Sequence, residues 1–226
     1  MSVEARLARQ AANAERLAAR VREWLVPLRG DERALDSGCG TGAFALALAP
    51  LVGEVVGVDG DAERIEAARG LAPANVRFEV GDAGELSFEP GTFEIAGCLR
   101  VLHHTTRPEL VVAELTRVLR PGGKVLLADQ LSPTDPLAGL ELDRFEHARD
   151  VSHTRLLNDG DVRALLEMND LVVRRVEIVG EERALGPYLD LVGSTGAERE
   201  RALELAPGGE TYRAEVGWYL AQKRAL

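Results

Sequence analysis

The chain has 226 residues, of which 46% are hydrophobic, 28% charged and only 4% aromatic. That length suits one α/β domain with a modest appendage rather than two full domains, and so few rings imply a core of Leu, Val and Ala. Twenty-seven basic against 37 acidic residues give a net charge of −10, which argues against a nucleic-acid partner, since neither a basic surface nor stacking platforms are supplied.

In chain order, Leu7, Ala11, Ala14, Leu17, Ala18, Val21 and Leu25 recur near a helical period, so residues 3–26 read as one amphipathic helix ending before Pro27. Its arginines are interleaved with Glu4, Glu15 and Glu23, the pattern of a solvated face. Residues 1–20 lack the apolar core of a signal peptide, and no run reaches the length of a membrane span. Cys39 and Cys98 are too few for a disulfide framework. A soluble, cytoplasmic protein is expected.

From residue 33 short apolar runs at 34–36, 54–59, 76–80, 93–99 and 124–129 alternate with helical stretches at 43–50, 61–69 and 107–119. This alternation predicts an α/β fold, a doubly wound parallel sheet with ligands at the carboxyl ends of its strands. Pro121-Gly122-Gly123 predicts a tight turn between a helix and the strand after it. Beyond Asp129 the rhythm breaks, and residues 131–158, with Pro133, Pro136, His147 and His153, read as a lid or as a helical and loop insertion after the fifth strand. A helix at 159–168 capped by Asn158-Asp159, a strand at 171–179, helical stretches near 185–206 and a strand at 214–222 holding Trp218 in the core complete the chain. The expected organisation is a single domain over 1–226, with an N-terminal helix (1–30), a cofactor core (31–130) and substrate-side caps (131–158 and 180–213).

Leu35-Asp36-Ser37-Gly38-Cys39-Gly40-Thr41-Gly42 lies where the first strand meets the first helix of the core, and glycine there permits positive φ and close approach of a ligand to the main chain. Asp59, followed by Gly60, ends the second strand, where a carboxylate can accept hydrogen bonds from a ribose. On these residues alone the dinucleotide fingerprint Gly38-x-Gly40-x-x-Ala43 is also met, so an NAD(P)-dependent oxidoreductase competes, as does a glycine turn with no ligand. Asp36, two residues before the first glycine, would not help a pyrophosphate. Gly81-Asp82-Ala83 closes the third strand. Thr92-Phe93-Glu94-Ile95-Ala96-Gly97-Cys98-Leu99 and Val118-Leu119-Arg120-Pro121-Gly122-Gly123-Lys124 follow in order.

Together these five motifs resemble class I S-adenosylmethionine-dependent methyltransferases of the small-molecule type, most of all the group containing the ubiquinone/menaquinone C-methyltransferases, over about residues 34–130. The resemblance implies a Rossmann-like seven-stranded sheet with an antiparallel last strand, and S-adenosylmethionine as cofactor. It implies cofactor contacts from Asp36 at the cationic amino acid end, from Gly38, Cys39 and Gly40, from Asp59 and Gly60 at the ribose, from Asp82 and Ala83 at the adenine, and from Cys98 and Leu99 at the fourth strand. Three departures stand out. Glu94 replaces the usual Asp, Cys98 stands where Ser or Asn is common, and the first helix carries no aromatic residue except Trp24.

A sulfonium methyl is already electrophilic, so transfer needs positioning, exclusion of water and, for some nucleophiles, removal of a proton. His103 and His104, after the fourth strand, are the candidate catalytic residues, or else caps of their loop. Asp129 ends the fifth strand on the same side. His153 and Arg155 are candidates for an anionic or carbonyl-bearing substrate, against a salt bridge among Arg149, Asp150 and Arg155. Metal-ligand spacing is absent, so no metal is expected. The expected partner is a small-molecule methyl acceptor, and the expected state a monomer or homodimer. Besides the oxidoreductase, which would lack a Tyr-x-x-x-Lys pair, a non-catalytic S-adenosylmethionine-binding protein fits the same residues.

Overall fold

The computed structural model describes residues 3–225. Strands β1 (Arg33–Ser37), β2 (Glu54–Asp59), β3 (Val76–Val80), β4 (Phe93–Leu99), β5 (Leu119–Leu131), β6 (Leu171–Ala184) and β7 (Thr211–Lys223) form one sheet in the order β3-β2-β1-β4-β5-β7-β6. The first five pair in parallel, whereas β7 slots between β5 and β6 and runs antiparallel to both. The helices are α1 (Val3–Leu25), α2 (Ala43–Leu48), α3 (Ala62–Arg69), α4 (Pro108–Val118), α5 (Pro136–Arg149), α6 (Asp159–Met168), α7 (Leu185–Asp190) and α8 (Gly196–Leu205).

Because successive side chains of a strand point to opposite faces, the sheet has two cores. Leu35, Val56 and Leu127 pack with Val111 and Leu115 of α4 and Val162 and Leu166 of α6. Ala34, Val55 and Leu126 pack on the other face with Trp24 of α1, Phe44 of α2 and Ile65 of α3. A third cluster is separate: Leu142 and Phe145 of α5, Leu185 and Leu189 of α7, Ala202 of α8 and Tyr212 of β7 form the core of a cap. Trp218, in the strand interior to the sheet, is half-buried and packed against Trp24.

Two expectations change, and an open one is decided. Pro121-Gly122-Gly123 is not a turn before the strand but a bulge inside β5: Phe93 faces Leu119 while Ile95 faces Lys124, and Gly122 takes φ 79° to let the extra residues loop out. Of the two readings of residues 131–158 the structure has the helical and loop insertion, since α5 starts at Pro136 under an Asp135 cap that accepts from the Leu137 amide at 2.9 Å. The strand expected at 171–179 extends to Ala184, because the polar stretch Gly180-Glu181-Glu182-Arg183 finds backbone partners along β7 that its composition does not advertise. The cap of α6 is as expected, with the Asn158 side chain accepting from Asp161 N at 2.9 Å.

Candidate active site

The carboxyl ends of β1, β2 and β4 converge on the glycine loop. Gly38 (φ 72°) donates to Val58 O at 2.7 Å, and a Cβ there would lie 2.4 Å from the Val101 side chain, so no other residue fits. Gly40 (φ 53°) has no atom within 4 Å of its missing Cβ and donates to Asp59 Oδ2 at 2.8 Å. Asp61 N reaches the other oxygen, Oδ1, at 3.0 Å. Each Asp59 oxygen thus holds one backbone N–H and keeps a lone pair for a ligand hydroxyl. Gly60 is exposed beside it.

Asp36 is buried and accepts from Ala45 N at 2.9 Å, anchoring the first turn of α2. Burial raises its pKa to about 7, opposed by the Ala45 hydrogen bond and reinforced by the Asp59 charge. Asp82 is exposed and bonds Gly84 N at 2.7 Å, with Ala83 half-buried behind it. The two cysteines turn inward: Cys39 is buried near Phe44, its amide bound to Val58 O, and Cys98 is wholly buried among Leu35 and Val56, its thiol pKa pushed up by burial. Leu99 packs half-buried on the opposite core. Glu94 lies at the other end of β4, where it accepts from Arg33 N at 2.8 Å and pairs with Arg120. Its extra length therefore bears on the sheet and not on the loop.

The expectation of a solvated face on α1 is corrected in its first turns. The helix is clamped at its far end, with Trp24 against Trp218 (6.1 Å between rings), Arg175 over Trp24 (4.2 Å) and Arg20 bound to Glu177 (2.6 Å). Its near end covers the glycine loop, where Gln10 accepts from Thr41 Oγ1 at 2.6 Å. Arg6 brings its Nε into a buried position with no hydrogen-bond partner. Burial and then the Arg64 charge lower the Arg6 pKa, against Asp150, Asp59 and Asp61. An orphaned donor on Arg6, open space at Gly40 and lone pairs left on Asp59, with Arg64 standing 3.9 Å from its Oδ1, fit a ligand with a polar sugar and charged ends.

Beyond the loop, His103 Nδ1 is hydrogen-bonded directly to Asp129 Oδ1, and His103 N donates to Asp129 Oδ2 at 3.2 Å. Burial alone would raise Asp129, but the His103 charge and hydrogen bond outweigh it and keep the carboxyl below its ordinary value. His104 has a different place: its Nδ1 lies 3.1 Å from both O and Oγ of Ser152, and burial, then the neighbouring His103, lower its pKa to about 4. It is neutral at pH 7. His153 is buried with Nε2 on Asp143 Oδ1 at 2.9 Å, its ring 5.9 Å from that of His103. Arg155 is exposed, and its charge is felt by Glu109. Arg149 pairs with Glu146 at 2.9 Å, in place of the Arg149–Asp150–Arg155 bridge considered above.

Under the cap runs a polar network that sequence reasoning missed. Glu146 accepts from Gln130, Tyr188, Tyr212 and Arg149, and Arg183 donates to Gln130, Tyr188, Tyr212 and Glu181. Burial pushes Glu146 up, yet Arg149 and the bonds from Gln130 and Tyr212 hold it at about 2. Arg6, Arg9, Gln10 and Arg100 were missed as well. The only local signal for them was the run of polar residues 6, 9 and 10 on one side of α1. Among the described residues, no three His, Cys, Asp or Glu side chains are grouped to hold a metal ion, and no helix is long and apolar enough to cross a membrane.

A dinucleotide fold of this order would carry a sixth parallel strand beside β5. Here the antiparallel β7 takes that place, and with the glycine loop, Asp36 and Asp59 it defines the methyltransferase class of Rossmann-like enzymes. Comparison agrees. The family described as methyltransferase domain matches residues 35–127. The uncharacterized methyltransferase YcgJ of Bacillus subtilis is 35% identical over 179 residues, 77% of this chain and 70% of the relative. The crystal structure of YcgJ superposes with a TM-score of 0.86 at 25% identity, covering 93% of this chain and 98% of that one. Two further relatives align over about half their own length: 27-O-demethylrifamycin SV methyltransferase of Amycolatopsis mediterranei, 37% identical over 56% of this chain and 48% of that enzyme, and demethylmenaquinone methyltransferase of Staphylococcus aureus, 34% identical over 49% and 48%. The chain belongs to the class I S-adenosylmethionine-dependent methyltransferase family.

Proposed function

We propose that this methyltransferase methylates a hydroxyl oxygen of a small molecule, with His103 as the base that takes the hydroxyl proton. The observation that carries the reading is the His103–Asp129 pair. An ionised Asp129 accepting from Nδ1–H fixes the tautomer whose Nε2 bears the lone pair, and it stabilises the imidazolium that forms. A hydroxyl acceptor needs such a base, and an oxygen-methylating relative, the rifamycin enzyme, supports the choice.

Asp59 holds the ribose hydroxyls with the lone pairs left by Gly40 and Asp61, Gly38 and Gly40 let the main chain approach, and Asp36 faces the cationic amino acid end. Asp82 and Ala83 border the adenine, and Leu99 closes the inner wall. Bound S-adenosylmethionine supplies a methyl carbon on a positively charged sulfur. Gln10 and Arg6 of α1 lie over the loop and exclude water from it. His104 joins the core to the cap through Ser152 and takes no proton. Residues 131–158 and 180–213 shape the acceptor side, and the buried, unpaired thiols suit a reducing cytoplasm.

Calorimetry with S-adenosylmethionine and S-adenosylhomocysteine tests the cofactor assignment, and Asp59→Ala is expected to weaken both by about 1.5 to 3 kcal/mol. A screen of phenols and alcohols for released S-adenosylhomocysteine tests the acceptor. Binding without turnover on any hydroxyl compound, but with turnover on a carbon or nitrogen acceptor, would overturn the oxygen assignment.

A further inference from the structure

Two arginines share the Glu181 carboxylate, and the charges of both act on a third, Arg9, in the first turns of α1. Arg100, immediately after β4, is held at φ 60°, a conformation rarely adopted outside glycine and asparagine, with its amide on Ala128 O at 2.7 Å. Its guanidinium reaches Glu181 Oε1 at 2.7 Å. Arg183, from the same strand as Glu181, binds the other oxygen at 2.9 Å. Arg9 descends from α1, and among the described residues no carboxylate lies within ion-pair distance of it. The charges acting on it most are Arg100 and Arg183, with Glu181 in opposition; burial and those two cations lower its pKa. Glu181 thus serves Arg100 and Arg183, Glu146 stands 3.8 Å from Arg183 but is already held by Arg149 at 2.9 Å, and Arg9 has neither. Like charges this close in a half-buried space repel strongly, and a second anion among them relieves the repulsion.

We propose that Arg9, Arg100 and Arg183 bind an anionic group, a carboxylate or phosphate, on the methyl acceptor. The inference deepens the proposed function and rests on it for the word acceptor. Position favours that source. Arg183 also donates to Gln130 Oε1 at 2.5 Å, and Gln130 follows Asp129, the partner of His103. Arg6, one turn earlier in α1, is acted on by Asp150 and then Asp59, whereas Asp59 is not among the charges acting most on Arg9. The three arginines therefore sit on the cap side of His103, away from the ribose acid. The rival source of the same chemistry is the cofactor's own carboxylate.

The test uses the full chain saturated with S-adenosylhomocysteine, titrated at constant ionic strength with benzoate, phenyl phosphate and uncharged benzamide, and followed by thermal shift. The expected result is stabilisation by at least one of the two anions and none by benzamide, with affinity reduced about tenfold in Arg9→Gln, as for loss of one charge-assisted contact. The stronger anion names the group. Equal anion effects in both proteins, or none in the wild type, would overturn the proposal. So would an Arg9→Gln variant that binds S-adenosylhomocysteine more weakly but 5′-methylthioadenosine normally, because the latter lacks the amino acid end. A wild-type protein that binds neither nucleoside, yet binds the anions through Arg9, keeps the arginine site and rejects methyl transfer instead.

Discussion

Asp129 and His103 are joined twice across the carboxyl ends of β4 and β5, ring nitrogen to one carboxylate oxygen and backbone amide to the other. Both bonds orient the imidazole, and neither involves Nε2. Asp129→Asn should lower kcat by about 10² to 10⁴, the usual contribution of a positioned base, while the affinity for S-adenosylmethionine stays unchanged. His103→Gln should do the same. Rates of S-adenosylhomocysteine release at saturating acceptor, set beside calorimetric affinities, check this. A variant with full kcat would mean that positioning alone carries the transfer.

The buried carboxyl of Asp36 makes stability depend on pH. Its folded-state pKa of about 7 lies above the ordinary 3.8, so its buried charge opposes folding most strongly above pH 7, and the penalty fades as pH falls toward 4. Asn at this position keeps an oxygen for Ala45 N. Asp36→Asn should therefore stabilise the protein by about 1 to 3 kcal/mol more at pH 8 than at pH 5, on the scale of 1.36 kcal/mol per pKa unit, and should weaken S-adenosylmethionine binding by removing the counter-charge. Urea unfolding at the two pH values measures the first effect. An identical gain at both would show that Asp36 titrates normally.

Glu146 acts in the opposite sense. Its folded pKa of about 2 lies below the ordinary 4.5, so its contribution is complete above about pH 4.5 and is lost as pH falls through 2. Glu146→Gln leaves Arg149 buried without its carboxylate and Arg183 with Glu181 alone, at a cost of about 3 to 5 kcal/mol. Hydrogen exchange should show α5 and α7 losing protection while β1 and β4 keep theirs, since the cap has its own core. Uniform loss across the sheet would mean that cap and core unfold as one unit.

The division between what was legible and what was not follows the range of the interactions. Strand and helix alternation, the glycine loop, Asp36 and Asp59 are local features: a glycine needed at a strand end, or an acid closing the next strand, is visible within a few residues. The glycine loop and the two acids beside it were therefore readable from the sequence alone. The bulge at Pro121-Gly122-Gly123 and the extension of β6 through Gly180-Glu181-Glu182-Arg183 were not, because each depends on what the neighbouring strand offers to pair with.

The acceptor side belongs to tertiary structure. His103 and Asp129 are 26 positions apart, Gln130 and Arg183 are 53 apart, and Arg9 comes under the charge of Arg100 on a helix that Trp24 and Trp218 clamp across the sheet. A helix with charges around most of its circumference does not declare which of them will be buried; packing decides that. The sequence by itself determined the fold class and the glycine loop with its neighbouring acids, through local backbone geometry. Only the folded chain decided which histidine faces a carboxylate and which arginines face one another, since burial and long-range contact set the charge of each.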